Sequence, residues 1–140
     1  MNSSTPDEFY ELSYYTLAHP DTQYFIHQHI VDAQQAQTAD ENTKPIAITF
    51  SLIGLYLYLE KEYTGRQVQR AHITLSQHKK KWPKIELPNK KGEITATDVL
   101  KATPGPRRDA MIRDWCASVW QAYLNSHNTV SSFVKSELGV

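Results

Sequence analysis

Cysteine is nearly absent. Cys116 is the only one in 140 residues, which excludes an internal disulfide and any cysteine-rich zinc cluster. Glycine is scarce too. Five residues scattered singly supply neither a phosphate-cradling loop nor a dinucleotide fingerprint, and there is no Gly-x-Ser-x-Gly elbow. Long apolar runs are missing. The strongest, Ile46 to Leu59, has 14 residues and contains Thr49, Ser51 and Gly54, short of the roughly 20 needed to cross a bilayer. Met1 to Tyr10 is polar and acidic, without the basic start or apolar stretch of a signal peptide. Together these absences point to a reducing cytoplasm.

What is present suits a globular fold. With 40% hydrophobic and 21% charged residues, the chain fits one domain over residues 1–140, able to bury about two-thirds of its unfolded surface. Net charge is zero but unevenly laid out. Residues 1–60 hold eight acids against Lys44 alone, and residues 61–113 hold thirteen bases against five acids. Such asymmetry can mark an acidic partner, or two halves facing each other across the fold.

The punctuation is helical. Thr5-Pro6-Asp7-Glu8 reads as a capping box with proline at the first helical position, opening a helix to about Leu17 that stops before Pro20. A second helix is expected over Asp21 to Ala39, and a third over Pro45 to Tyr63. The third is apolar nearly all round and so belongs in the middle of a bundle, where Gly54 permits close helix contact. Thr64-Gly65-Arg66-Gln67 is another capping box, starting a fourth helix to about Lys80. Pro83, Pro88 and Asn89-Lys90-Lys91-Gly92 preclude a long helix over 81–95, and Lys84-Ile85-Glu86-Leu87 can form a short strand. A brief helix capped by Thr95 spans Ala96 to Ala102. A long one follows from Pro106 to about Asn125, and a last amphipathic piece carries Val130, Phe133, Val134 and Leu138. The expected fold is all-α: a bundle of about five main helices, with an irregular basic loop or small hairpin near 81–95.

Candidate chemistry is sparse. His27 and His29 look like a metal-binding pair, but on a helix they point about 200° apart. His29 shares a side with Asp32, which can orient the ring as a supporting carboxylate does. His72 sits on the face of Val68, Ala71 and Leu75. His127, if the long helix reaches it, lies on the side of Ile112, Cys116 and Tyr123. His29 (or His27), His72 and His127 would then give one histidine from each of three helices, a set that can hold zinc, nickel or iron with an open position. No His-Glu-x-x-His motif supports it, and separate histidines at the edge of the core are the plainer alternative. Cys116, on the apolar face of the long helix, reads as a core thiol rather than a nucleophile.

A second candidate is basic. Lys79, Lys80, Lys81, Lys84, Lys90 and Lys91, with Arg107 and Arg108 beyond, can hold phosphates while Trp82 stacks on a base. Cations at a helix end and a tryptophan capping the core explain the same residues. The aromatic residues, Tyr14, Tyr15, Tyr24, Tyr56, Tyr58, Trp115, Trp120 and Tyr123, read chiefly as core and boundary material whose hydroxyls can also line a ligand pocket.

Four stretches resemble an uncharacterised bacterial family, a domain of unknown function. They are Phe25-Ile26-His27-Gln28-His29-Ile30-Val31-Asp32-Ala33, Tyr63-Thr64-Gly65-Arg66-Gln67-Val68-Gln69-Arg70-Ala71-His72, Gly92-Glu93-Ile94-Thr95 and Trp115-Cys116-Ala117-Ser118-Val119-Trp120-Gln121-Ala122-Tyr123. The likeness runs from about Glu11 to Tyr123. It implies a bacterial cytoplasmic protein of one domain and carries over no catalytic residue. In architecture alone, the chain is also similar to helical-bundle metalloproteins of the damage-inducible B type.

The sequence thus favours a binding or accessory module, with the three-histidine metal site as its sharpest hypothesis. A metal-dependent hydrolase or transferase and a module binding nucleic acid or an acidic protein through 79–91 stand beside it. A homodimer is compatible with either.

Overall fold

The computed structural model describes residues 6–140, so the Thr5 cap and its box to Glu8 lie outside the described residues. Within them the fold is all-α, with seven helices and no strand. These are α1 (Pro6–Leu17), α2 (Ile26–Thr38), α3 (Pro45–Lys61), α4 (Gly65–Ser76), α5 (Ala96–Lys101), α6 (Pro106–Ala122) and α7 (His127–Leu138). None is long and apolar enough to cross a membrane. There are two more helices than the expected five main ones, because α5 stands as a separate short helix and the C-terminal piece forms a full one.

The all-round apolar α3 is the hub. It buries Ile48, Leu52, Ile53, Leu55, Leu57 and Tyr58 and packs against α2, α4, α6 and α7. From the other side α6 contributes Ile112, Trp115, Cys116 and Val119 to the core.

Capping boxes set two helix starts as their side chains dictate. Gln67 N–H donates to Thr64 Oγ1 at 3.2 Å, and Thr64 N–H donates to Gln67 Oε1 at 2.8 Å. At α5 the Thr95 N–H donates to Asp98 Oδ2 at 2.9 Å.

Three differences from expectation shape the bundle. First, α2 begins at Ile26 rather than Asp21. Asp21 Oδ1 accepts Tyr24 N–H at 2.9 Å, which makes a turn. Phe25 then takes a left-handed φ of 49°, with Tyr24 O held by Gly65 N–H at 2.6 Å. A Cβ at Gly65 would overlap the Phe25 carbonyl, so this docking requires glycine.

Second, residues 81–95 form no strand. At the end of the segment, side chains from helices bind the backbone instead. Gln37 Nε2 donates to the carbonyls of Lys91 (3.2 Å) and Ile94 (2.7 Å), and Glu93 N–H donates to Ser118 Oγ at 3.0 Å.

Third, the long helix stops at Ala122. Tyr123 is fully buried, and its hydroxyl donates to Ala36 O at 2.6 Å. A 3-10 turn, Leu124–Ser126, then redirects the chain so that His127 opens α7.

Candidate functional site

The histidines singled out in the sequence are placed by the bundle, but they are not brought together. His29 on α2 is fully buried, with its ring stacked on Tyr58 of α3 at 3.5 Å and 10°. His72 on α4 stacks on Phe50 (4.9 Å, 4°), and His127 stacks on Trp120 (3.7 Å, 9°). His72 Nε2 donates to Phe50 O at 2.9 Å, and His127 Nε2 donates to Trp120 O at 2.7 Å. A carbonyl can only accept, so each of these nitrogens carries a proton and has no lone pair to offer. Phe50 and Tyr58 stand eight residues apart on α3, which separates His72 from His29 by about 12 Å along the helix. His27 makes a 2.9 Å contact with Thr16, whose hydroxyl proton is already given to Ser13 O, so its Nδ1 is the donor. Among the described residues no three His, Cys, Asp or Glu side chains are grouped to hold a metal ion. His29 (or His27), His72 and His127 thus stand apart, each ring against its own aromatic partner.

Asp32 does not orient His29 either. Neither ring nitrogen of His29 has a partner among the described residues, and Asp32 Oδ2 has none. Asp32 Oδ1 accepts from Gln28 Nε2 at 3.3 Å. Its carboxyl rests over Gly54, the close helix contact expected there. Burial pushes the Asp32 carboxyl well above the usual carboxylate range, against a small opposing effect of the Gln28 hydrogen bond. Burial first, and the Arg113 charge second, lower His29 to about 3. The His29 ring is thus neutral near pH 7, and burial favours the protonated form of Asp32. Cys116, fully buried, donates weakly to His29 O at 3.6 Å. Burial raises its thiol, as does the nearby Asp32, so it is no nucleophile at neutral pH.

The basic segment is partly committed to structure. Lys80 Nζ folds back onto the carbonyls of Leu75 (2.6 Å) and His78 (2.7 Å), closing the C-terminal end of α4. The helix ends at Ser76, short of the expected Lys80. Trp82 is half-buried between Phe50 (5.1 Å) and Phe133 (5.3 Å), so its faces are engaged in the core rather than offered to a base. Lys79, Lys81, Lys84 and Lys90 are exposed, and Lys91 is half-buried. Arg108 is turned inward, donating to Ala102 O (3.1 Å) and Leu100 O (2.9 Å).

A cleft that sequence reasoning missed opens where the end of α1 meets the start of α6. Its volume is about 610 Å³, and Tyr14, Tyr15, Ala18, Pro20 and Pro106 supply much of its lining. The floor is polar and hydrogen-bonded within itself. Tyr15 OH donates to Asp109 Oδ1 at 2.7 Å and accepts from Gly105 N–H at 3.0 Å. Asp21 N–H donates to His19 Nδ1 at 3.2 Å, so the proton sits on Nε2, which donates to Asp109 Oδ2 at 2.9 Å. Both ring nitrogens of His19 are then in use, and each oxygen of Asp109 accepts one hydrogen bond from within the cleft. The Arg108 guanidinium lies 4.8 Å from the Tyr15 ring centroid and fixes that ring from behind. The one signal in the sequence was the spacing of Tyr10, Tyr14 and Leu17, an apolar stripe that α1 leaves exposed.

The molecule is thus an all-helical bundle with a preformed cleft at one corner and two buried polar side chains, His29 and Asp32, in its core. The family model for a family of unknown function, DUF5946, matches residues 6–124, and the chain belongs to that family. No curated protein and no solved structure matches it.

The stretches that resemble the family meet in pairs. Arg66 packs 3.9 Å from the centroid of the Phe25 ring and its Nε donates to Thr22 O at 3.1 Å, joining the first stretch to the second. The Glu93–Ser118 hydrogen bond joins the third to the fourth. They lock the fold together.

Proposed function

We propose that the chain is a binding or accessory module, working as one domain, whose site is the cleft between α1 and the start of α6. The observation that carries this reading is the combination of apolar walls with a floor whose polar groups already satisfy one another. Such a cleft needs no rearrangement to accept a guest, and its volume lies within the roughly 300–1,000 Å³ of small-molecule sites. The guest is mainly apolar and favours a cation over an anion, because the cleft residues Glu11 and Asp109 set two acids against the single guanidinium of Arg108. The free, buried Cys116 suits a reducing compartment, which supports a cytoplasmic setting.

The test is ligand-observed NMR with neutral, cationic and anionic ring fragments, on the wild type and on an Ala18→Trp variant that fills the cleft. Neutral and cationic fragments should bind, with affinity at least about tenfold weaker in the variant, a loss of roughly 1.4 kcal/mol. Equal binding to both proteins, or preference for anions, would overturn the reading.

A further inference from the structure

We propose that the occupant of this cleft is an amphipathic helix of a partner protein, with basic residues flanking its apolar face. The inference rests on the cleft being a binding site and adds the class of its ligand. The cleft does not end at its own walls. Tyr14 lines it and also stands in the middle of the α1 stripe, where Tyr10, Tyr14 and Leu17 are 69%, 80% and 62% exposed. Spacings of four and three residues put these side chains on one face, extending about 10 Å along the helix at 1.5 Å per residue. That is two turns of a partner helix, more than a small molecule seated in the cleft would cover, and anchors at i and i+4 are how helices dock in such grooves. Contiguous exposed apolar surface of this kind marks an interaction site.

Charge selects the partner's sign. On the helical wheel Asp7 and Glu11 fall beside Tyr14 and Ala18, and both acids are exposed. The last turn of α1 contains no basic residue, so the negative end of its dipole is uncompensated by its own side chains and favours a cation. Asp21 follows the helix, exposed as well. A partner rich in acids would meet like charge along this edge, whereas lysines or arginines would complement it.

The experiment is a titration followed by amide-resolved NMR, with fluorescence anisotropy at low and high salt. The probe is an 18-residue helical peptide of leucine and lysine, compared with a leucine–glutamate peptide of the same pattern. The leucine–lysine peptide should shift α1 and residues 105–109 and bind at least tenfold more tightly than its acidic counterpart. Its affinity should fall at least tenfold in Tyr10→Ser/Leu17→Ser and severalfold in Asp7→Asn/Glu11→Gln, both exposed changes that leave the core intact. Equal binding of the two peptides, shifts mapping elsewhere, or unchanged affinity in Tyr10→Ser/Leu17→Ser would overturn the proposal. A concentration-dependent dimer abolished by that same variant would also overturn it, because the occupant would then be a second copy. Ring fragments that still bind while the peptide fails would sink only this inference. Failure of both would remove the cleft as a site.

Discussion

The carboxyl group of Asp32 occupies the space that a side chain at position 54 would fill, so α2 and α3 approach closely only because residue 54 is Gly54. A Cβ there would overlap Oδ2 of Asp32. Alanine ordinarily gains about 1 kcal/mol over glycine inside a helix. Here the overlap should dominate, and Gly54→Ala should destabilise by about 1–3 kcal/mol. In an Asp32→Ala background the same change should be neutral or stabilising, giving a coupling energy of at least about 1 kcal/mol. Denaturant unfolding of the four proteins checks this, and additive effects would remove Asp32 as the obstacle.

The stacked histidines should behave as core residues. His127→Ala removes a ring 3.7 Å from Trp120 together with a 2.7 Å hydrogen bond, and should lower stability by about 1–3 kcal/mol. Zinc, nickel or a chelator should leave the melting temperature of wild type and variant unchanged. A metal-dependent rise in the wild type alone, lost in His127→Ala, would contradict the separation of the histidines.

These cases mark what the sequence could carry. Local chemistry was readable: the Thr64–Gln67 box opens α4, and the run from Ile46 to Leu59 is the central helix. Helical periodicity also put His72 on the correct face of α4. It could not say that the ring would meet Phe50, because the partner depends on how two helices cross. Likewise the end of the 81–95 segment is bound by Gln37 and Ser118 from far along the chain, partners that no local pattern names. The cleft was illegible for a related reason. Tyr14 and Tyr15 are adjacent aromatics with equal claims on the core, and only the meeting of α1 with α6 turns one outward and ties the other to Asp109.

Lys80 should act as a cap and not as part of a phosphate-binding surface. Its ammonium holds the Leu75 and His78 carbonyls, so Lys80→Ala should fray α4 and cost about 0.5–1 kcal/mol. Lys79→Ala and Lys81→Ala, both exposed, should be close to neutral. Thermal unfolding of the three variants distinguishes them, and equal effects would show that Lys80 has no special place.

His29 and Asp32 should tilt the pH dependence of stability in opposite directions. His29 is neutral when folded, with a pKa lowered from 6.5 to about 3. Below 6.5 the unfolded chain therefore binds the extra proton, and stability is lost as pH falls from 6.5 towards 3. Asp32 is raised above its ordinary 3.8. The folded chain there holds the extra proton, and stability is lost as pH rises above 3.8. Each group acting alone contributes a slope of up to about 1.4 kcal/mol per pH unit, and above 3.8 the two slopes oppose each other wherever both groups titrate. Asp32→Asn keeps the shape of the protonated acid, so its stability relative to wild type should climb as pH rises above 3.8. His29→Gln should gain on wild type as pH falls below 6.5. Chemical denaturation from pH 4 to 8 on the three proteins measures both trends. Curves that run parallel across that range would mean that neither buried group changes its proton affinity on folding.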